Sequence, residues 1–214
     1  MLIKTESLSN VMAIDIPSIE DRLESFLSWK DHCPTYMKRG VELDPNNNVC
    51  FVKTTYDGEE AVDKSWHYGA NLVTNDGDIY YAVKAQAQTA LGSNENFGSG
   101  RLELRTGSAT PAKADTYSSV TTPVTASRKV FDSNYPTTSD TDSDNTGSGA
   151  DVVTYLTSWT TTDFNATGII GGAIHDNATP VAGSKLLTHF SIASFDKTAS
   201  DTLKVFVNHT MNGV

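Results

Sequence analysis

The residues best suited to chemistry crowd into one acidic loop. Asp140, Asp142 and Asp144 alternate along the chain, and Asp151 closes the run as an apolar segment begins at Val152. Counted from Asp140, oxygen-bearing side chains fall at positions 1, 3, 5, 9 and 12, with the carbonyl of Thr146 at position 7. That is the spacing of an EF-hand-type calcium loop, in which Ca²⁺ gathers six to eight oxygens. Three clustered carboxylates repel one another unless a cation sits between them. Against this, Asn145 stands where glycine is usual, Asp151 is shorter than the bidentate Glu, and no helix precedes the loop. The departures weigh toward a solvated connection, and Asp140, Asp142, Asp144 and Asp151 are kept as the candidate Ca²⁺ ligands.

Other candidate chemistry is sparser. His32, His67, His175, His189 and His209 fall in no HxH or HExxH spacing, and Cys33 and Cys50 form no CxxC pair, so no zinc site is expected. His175-Asp176 could orient an imidazole, but no serine sits in a GxSxG elbow. Glu103, Asp163 and Asp176 are carboxylates of the type that glycosidases pair, as any acidic β-protein offers. Trp66, Tyr68, Tyr80, Tyr81, Tyr135, Tyr155 and Trp159 could build a sugar-stacking face, or could plug a core, which is the expectation here. No phosphate-cradling glycine motif is present. The chain is therefore not expected to be an enzyme or to carry a cofactor.

The composition narrows the classes further. The chain has 214 residues, a formal net charge of −10 and a pI near 4.8. An acidic surface with scattered Lys and Arg disfavours nucleic acid and anionic membranes, which need clustered basic groups. No apolar run approaches the ~20 residues of a bilayer span. The N-terminus has no basic head followed by an apolar run, so no export signal is expected. The two cysteines are expected to be reduced core residues.

These residues must be carried by strands. Thr, Ser, Asp, Asn and Gly are abundant, which favours short strands joined by polar turns. Pro17 ends an extended N-terminal arm. Ser18 then opens a helix over 18–31, with Ile19, Leu23, Phe26 and Leu27 on one face. So short a helix is marginal alone and must dock on its own sheet or on a neighbour. A strand is expected over Val49–Thr55, residues 59–68 are ambiguous, and Ala70–Thr74 and Ile79–Ala87 read as a hairpin around Asn75-Asp76-Gly77-Asp78. Further strands are expected over 101–105, 125–131, 152–161, 168–175, 184–193 and 202–211, with a long connection over 107–123. The set predicts a mainly β protein: an antiparallel β-sandwich or jelly-roll-like body over 70–214, with residues 1–69 as an arm, helix and short strands that dock elsewhere.

Residues 101–115, RLELRTGSATPAKAD, run into Thr116 and then a strand containing Ser127-Arg128-Lys129. With Leu186-Leu187-Thr188-His189-Phe190, Phe195-Asp196-Lys197-Thr198 and Asp201–Val205 near the C-terminus, this resembles structural proteins of tailed bacteriophages. The likeness spans about residues 100–214. It implies a virion component: a neck, tail-adaptor, baseplate or capsid-decoration protein. Such a protein acts through contacts with capsid, portal or tail subunits and with copies of itself, and is assembled in the host cytoplasm. It carries over no catalytic residue. The alternative from another class is a carbohydrate-binding module or glycan-degrading enzyme.

Overall fold

The structure is a computed structural model in which residues 48–85, 97, 100–139 and 152–210 are described. Among these residues nine strands form one antiparallel sheet: β1 (Asn48–Asp57), β2 (Glu60–Val73), β3 (Arg101–Arg105), β4 (Lys129–Val130), β5 (Thr137–Ser139), β6 (Val152–Trp159), β7 (Ala166–His175), β8 (Leu186–Lys197) and β9 (Asp201–Thr210). Their order is β4-β3-β7-β8-β2-β1-β9-β6-β5. The class is mainly β and sandwich-like, as expected, with the sheet curled until it is nearly closed into a barrel.

β2 makes the bend. Residues 60–70 pair with β1, whereas Asn71–Val73 pair with β8, so one long strand joins two half-sheets. Their inner faces share one core. Phe51, Tyr155, Trp159, Leu203, Val205 and Val207 come from one half, and Leu102, Leu104, Ile169, Ile174, Leu187 and Phe190 from the other. The Phe51 and Phe190 rings meet edge to face across it at 5.8 Å, a geometry aromatic quadrupoles favour.

The two outer edges are joined by a single stretch of chain. β4 pairs with β3, residues 131–136 then follow β6, and β5 pairs with β6. Asp132 fastens the crossing: its amide donates to the Leu156 carbonyl at 2.9 Å, and its carboxylate accepts from the Ser158 amide at 3.0 Å. Asn134 takes a φ of +70° there, a conformation Asn tolerates. The edges left by this near-closure are the two-residue β4 and the three-residue β5, and edges that short offer little to pair with.

Three expectations are corrected. Residues 75–85 form a helix, α1 (Asn75–Ala85), not the second strand of a hairpin. Thr74 is its N-cap, with Oγ1 accepting from the Gly77 amide at 3.2 Å. Asp76 and Asp78 lie in the first turn and Lys84 in the last, each favourable to the helix dipole. Gly77, which read as a turn residue, is required for clearance, because a Cβ there would lie 2.3 Å from the Leu187 carbonyl of β8. The boundary at 69/70 falls inside β2, and β1 is a central strand bonded to β2 and β9, so the body begins no later than Asn48. Of the strand expected over 125–131 only Lys129–Val130 is paired, since Thr125–Ser127 is a 3₁₀ turn. The helix expected over 18–31 lies outside the described residues.

Candidate functional site

Among the described residues, the densest cluster of ionisable side chains lies on the outward face of β3, β7 and β8. Leu102 and Leu104 of β3 point into the core, so the alternation of a strand sends Glu103 and Arg105 outward. Glu103 is opposite Ala173 and Arg105 opposite Gly171 on β7; these face His189 and Ser191 on β8. Small residues on the middle strand leave a trough flanked by charge. A Cβ on Gly171 would come within 2.2 Å of the Phe190 carbonyl and 2.9 Å of Arg105 Nη2.

A strap of residues 106–128 closes over this trough. Gly107 donates to the Thr121 carbonyl at 3.2 Å, Tyr117 to Ser184 at 2.9 Å and Val124 to Leu104 at 2.8 Å. Val120 and Tyr117 pack on Ala173 and Leu186. Beneath the strap Glu103 is fully buried. It accepts from the Tyr117 hydroxyl at 2.7 Å and from Arg128 Nη2 at 2.9 Å, and His175 Nε2 stands 3.5 Å away, at the limit of a hydrogen bond. Burial pushes the Glu103 carboxyl up, but the contacts with His175, Tyr117 and Arg128 outweigh it and hold it below the usual range. Arg105, also fully buried, donates to the carbonyls of Gly107, Ala109 and Phe190 and to Ser191 Oγ.

The second half of the layer is a His–Asp pair. His189 Nδ1 lies 2.7 Å from Asp115 Oδ2, which also accepts from the Ala112 amide at 2.8 Å. Burial raises the Asp115 carboxyl, yet its hydrogen bonds from His189, Ala112 and Ser119 hold it low. Burial also lowers His189, and Arg105 lowers it further against the pull of Asp115. Near neutral pH the pair is thus a neutral imidazole donating from Nδ1 to a carboxylate. Nε2 is then the bare nitrogen, and it is enclosed, with no hydrogen-bond partner among the described residues. A general base needs its free nitrogen within reach of a substrate; this one faces the protein interior. What the layer does chemically is bind the strap to the sheet, through the Glu103–Arg128 ion pair, the Asp115–His189 pair and the Arg105 guanidinium on the strap carbonyls of Gly107 and Ala109.

The opposite half-sheet has a different outward face. Leu156, Phe206, Cys50 and Tyr68 are register partners across β6, β9, β1 and β2, forming one apolar row. With Val52 they make a second cluster, buried to 5% exposure or less. Beyond it the face opens into a shallow groove lined by Thr54, Tyr56, Val62, Lys64, Thr202 and Lys204.

The residues singled out in the sequence are dispersed by the fold. Asp140, Asp142, Asp144 and Asp151 lie outside the described residues, and no group of three or more metal-ligating side chains occurs among those described. Glu103 is locked in the polar layer, whereas Asp163 caps the turn at Thr160 and pairs with Lys129 at 3.0 Å. His175 is buried beside Glu103. The aromatics divide: Tyr155 and Trp159 enter the main core with Tyr80 and Tyr81 against it, and Tyr68 joins the outer cluster beside Trp66 and Tyr135. Cys50 is buried in that cluster; Cys33 lies outside the described residues. Asp115, Arg105 and Arg128 sit in no motif that marks them as site residues. In RLELR the alternation of charge with leucine reads as a solvent face, and only the covering strap makes it an interior.

No family model, no curated protein and no solved structure matches the chain. No helix among the described residues is long and apolar enough to cross a membrane.

Proposed function

We propose that this chain is a structural component of a tailed-phage virion, a neck, tail-adaptor, baseplate or capsid-decoration protein, that acts by subunit–subunit contacts. One observation carries the structural part of the reading. The richest set of ionisable groups among the described residues, Glu103, Arg105, Asp115, Arg128, His175 and His189, is spent on fastening the strap, and Glu103, Arg105 and both histidines are fully buried. Catalytic carboxylates and imidazoles must meet solvent or substrate; these meet one another. The phage part rests on the likeness of residues 100–214 to virion proteins and on an acidic, Thr- and Asn-rich β chain suited to high local concentration.

Quantitative mass spectrometry of gradient-purified particles tests it. The expected result is a fixed copy number per particle that matches a rotational symmetry of the neck, tail or capsid. Presence in the lysate with absence from particles overturns the reading. A glycan array and a host-lawn halo assay address the carbohydrate alternative, with neither binding nor clearing expected.

A further inference from the structure

α1 has eleven residues, too few to hold its shape by the hydrogen bonds of the helix alone. Its apolar anchor is small: among the described residues, Tyr80 and Tyr81 are the helix side chains packed on the main core, and both are only partly buried. Tyr80 meets the Phe97 ring at 5.2 Å, while the Tyr81 hydroxyl is in hydrogen-bond contact with His209 Nδ1 and lies 3.1 Å from the Tyr155 hydroxyl. Much of the remaining hold is on polar groups at the first turn of the helix.

Two turns meet that first turn, and the strap owns one and grips the other. In the strap turn 112–115, the Lys113 carbonyl accepts from the Asn75 amide at 2.7 Å and Lys113 Nζ reaches Asp78 at 2.8 Å. Asp115 closes this turn. Its amide donates to the Ala112 carbonyl at 3.1 Å, and its Oδ2 accepts from the Ala112 amide at 2.8 Å and lies 2.7 Å from His189 Nδ1. One carboxylate oxygen therefore both shapes the turn that carries Lys113 and ties it to β8. The second turn, 181–185, is held by the strap amides of Tyr117 and Ser118, which donate to the Ser184 and Ala182 carbonyls at 2.9 and 3.1 Å. Thr116 bridges to Lys185, whose Nζ stands 3.6 Å from Asp76.

We infer that the strap and α1 form one latch: they leave the fold together, and lifting the strap off the back of β8 withdraws Tyr81 from Tyr155 and His209 at the end of the core. Without Asp115 on His189 the 112–115 turn loses both its closure and its anchor, and Asn75 and Asp78 lose their partners on Lys113. Without α1, Lys113 and Lys185 lose theirs. Elements joined in this way open as a cooperative unit below the free energy of global unfolding. The latch connects the back of one half-sheet to the end of the shared core, so a partner that draws on the strap also acts on α1. This holds whatever the chain assembles with.

Hydrogen exchange of the full, unaltered chain in mild urea tests the latch without any substitution. The strap amides of Tyr117 and Ser118, the Asn75 amide and the helix amides of 79–84 should share one opening with one urea slope, easier than that of Phe51 on β1 and Val205 on β9. Separate openings for strap and helix, or one opening common to them and to β1 and β9, overturn the inference. Two variants then probe the coupling from each side. Asp115→Ala should speed exchange at Val83 and Lys84 by at least about ten-fold with Val205 unchanged. Thr74→Ala, which removes the N-cap of α1, should speed exchange at Tyr117 and Ser118 by the factor seen in the helix, since coupling between two elements is reciprocal. A helix unmoved by the first variant, or a strap unmoved by the second, overturns it.

Discussion

The two half-sheets share a core and differ in what lies on their backs. Behind β3, β7 and β8 is a layer of paired charges under a strap from the middle of the chain; behind β6, β9, β1 and β2 is an apolar row. The apolar face gains stability from burial itself, roughly 25 cal/mol per Å² removed from water, and tolerates any cover of suitable shape. The polar face gains little net energy from burying its charges, since desolvation offsets attraction. It accepts only one arrangement, in which each donor meets its acceptor. One back is built for adhesion and the other for registry.

The contrast is broken most forcefully at Glu103. Glu103→Ala removes the carboxylate that Arg128 and the Tyr117 hydroxyl share, and urea denaturation should show a loss of about 4 kcal/mol. Glu103→Leu combined with Arg128→Met should recover most of that. If the double variant is as unstable as the single one, the layer is not a compensated pair. On the other back, Phe206→Ala removes a fully buried ring and should cost about 3 kcal/mol, with no partner substitution able to rescue it.

Acid sharpens the comparison. Burial depresses His189, and depresses His209 to about 3. A histidine whose folded value lies below its unfolded value stabilises the fold fully above about pH 6.5, and the contribution is lost as pH falls toward the folded value. Glu103 and Asp115, also depressed, add losses as pH falls below the ordinary carboxylate range. Each proton taken up on unfolding steepens the decline by about 1.4 kcal/mol per pH unit. Hydrogen exchange at successively lower pH should release the strap amides of 107–122 before those of Cys50, Leu156 and Phe206, because the apolar row itself has no carboxyl or imidazole. Simultaneous release would show that the strap is not held separately. His209→Leu should flatten the global slope below pH 6.5, since that ring on β9 belongs to neither back.

The smallest effect is expected at the rim of the strap. Lys113 Nζ meets Asp78 at 2.8 Å with both side chains about half exposed, so Asp78→Asn should cost below about 1 kcal/mol, and less in high salt.

Much of the sheet could be read from the chain. β1, β3, β6, β7 and β9 fall within a few residues of their expected places, because alternation and turn residues are local properties. The error over 75–85 is instructive. Ile79, Tyr81, Val83 and Ala85 alternate as in a strand, and Asn75-Asp76-Gly77-Asp78 has turn composition, but the same residues cap a helix once Thr74 supplies its hydroxyl. Propensity is weak beside the packing of Tyr80 on Phe97 and Tyr81 on His209. The polar layer was not legible: Glu103 and Arg105 lie about seventy or more residues from His175, His189 and Ser191, and nothing local announces that a strap will cover them.

By itself, then, the sequence determined the class of the protein, most of its strands and the absence of familiar catalytic and phosphate-binding motifs, since each depends on neighbours along the chain. Only the tertiary structure decided that β2 bridges two half-sheets, that one segment joins both edges and that the charges of RLELR lie in an interior. Those features depend on which strands meet, and strand pairing is settled by the whole core at once.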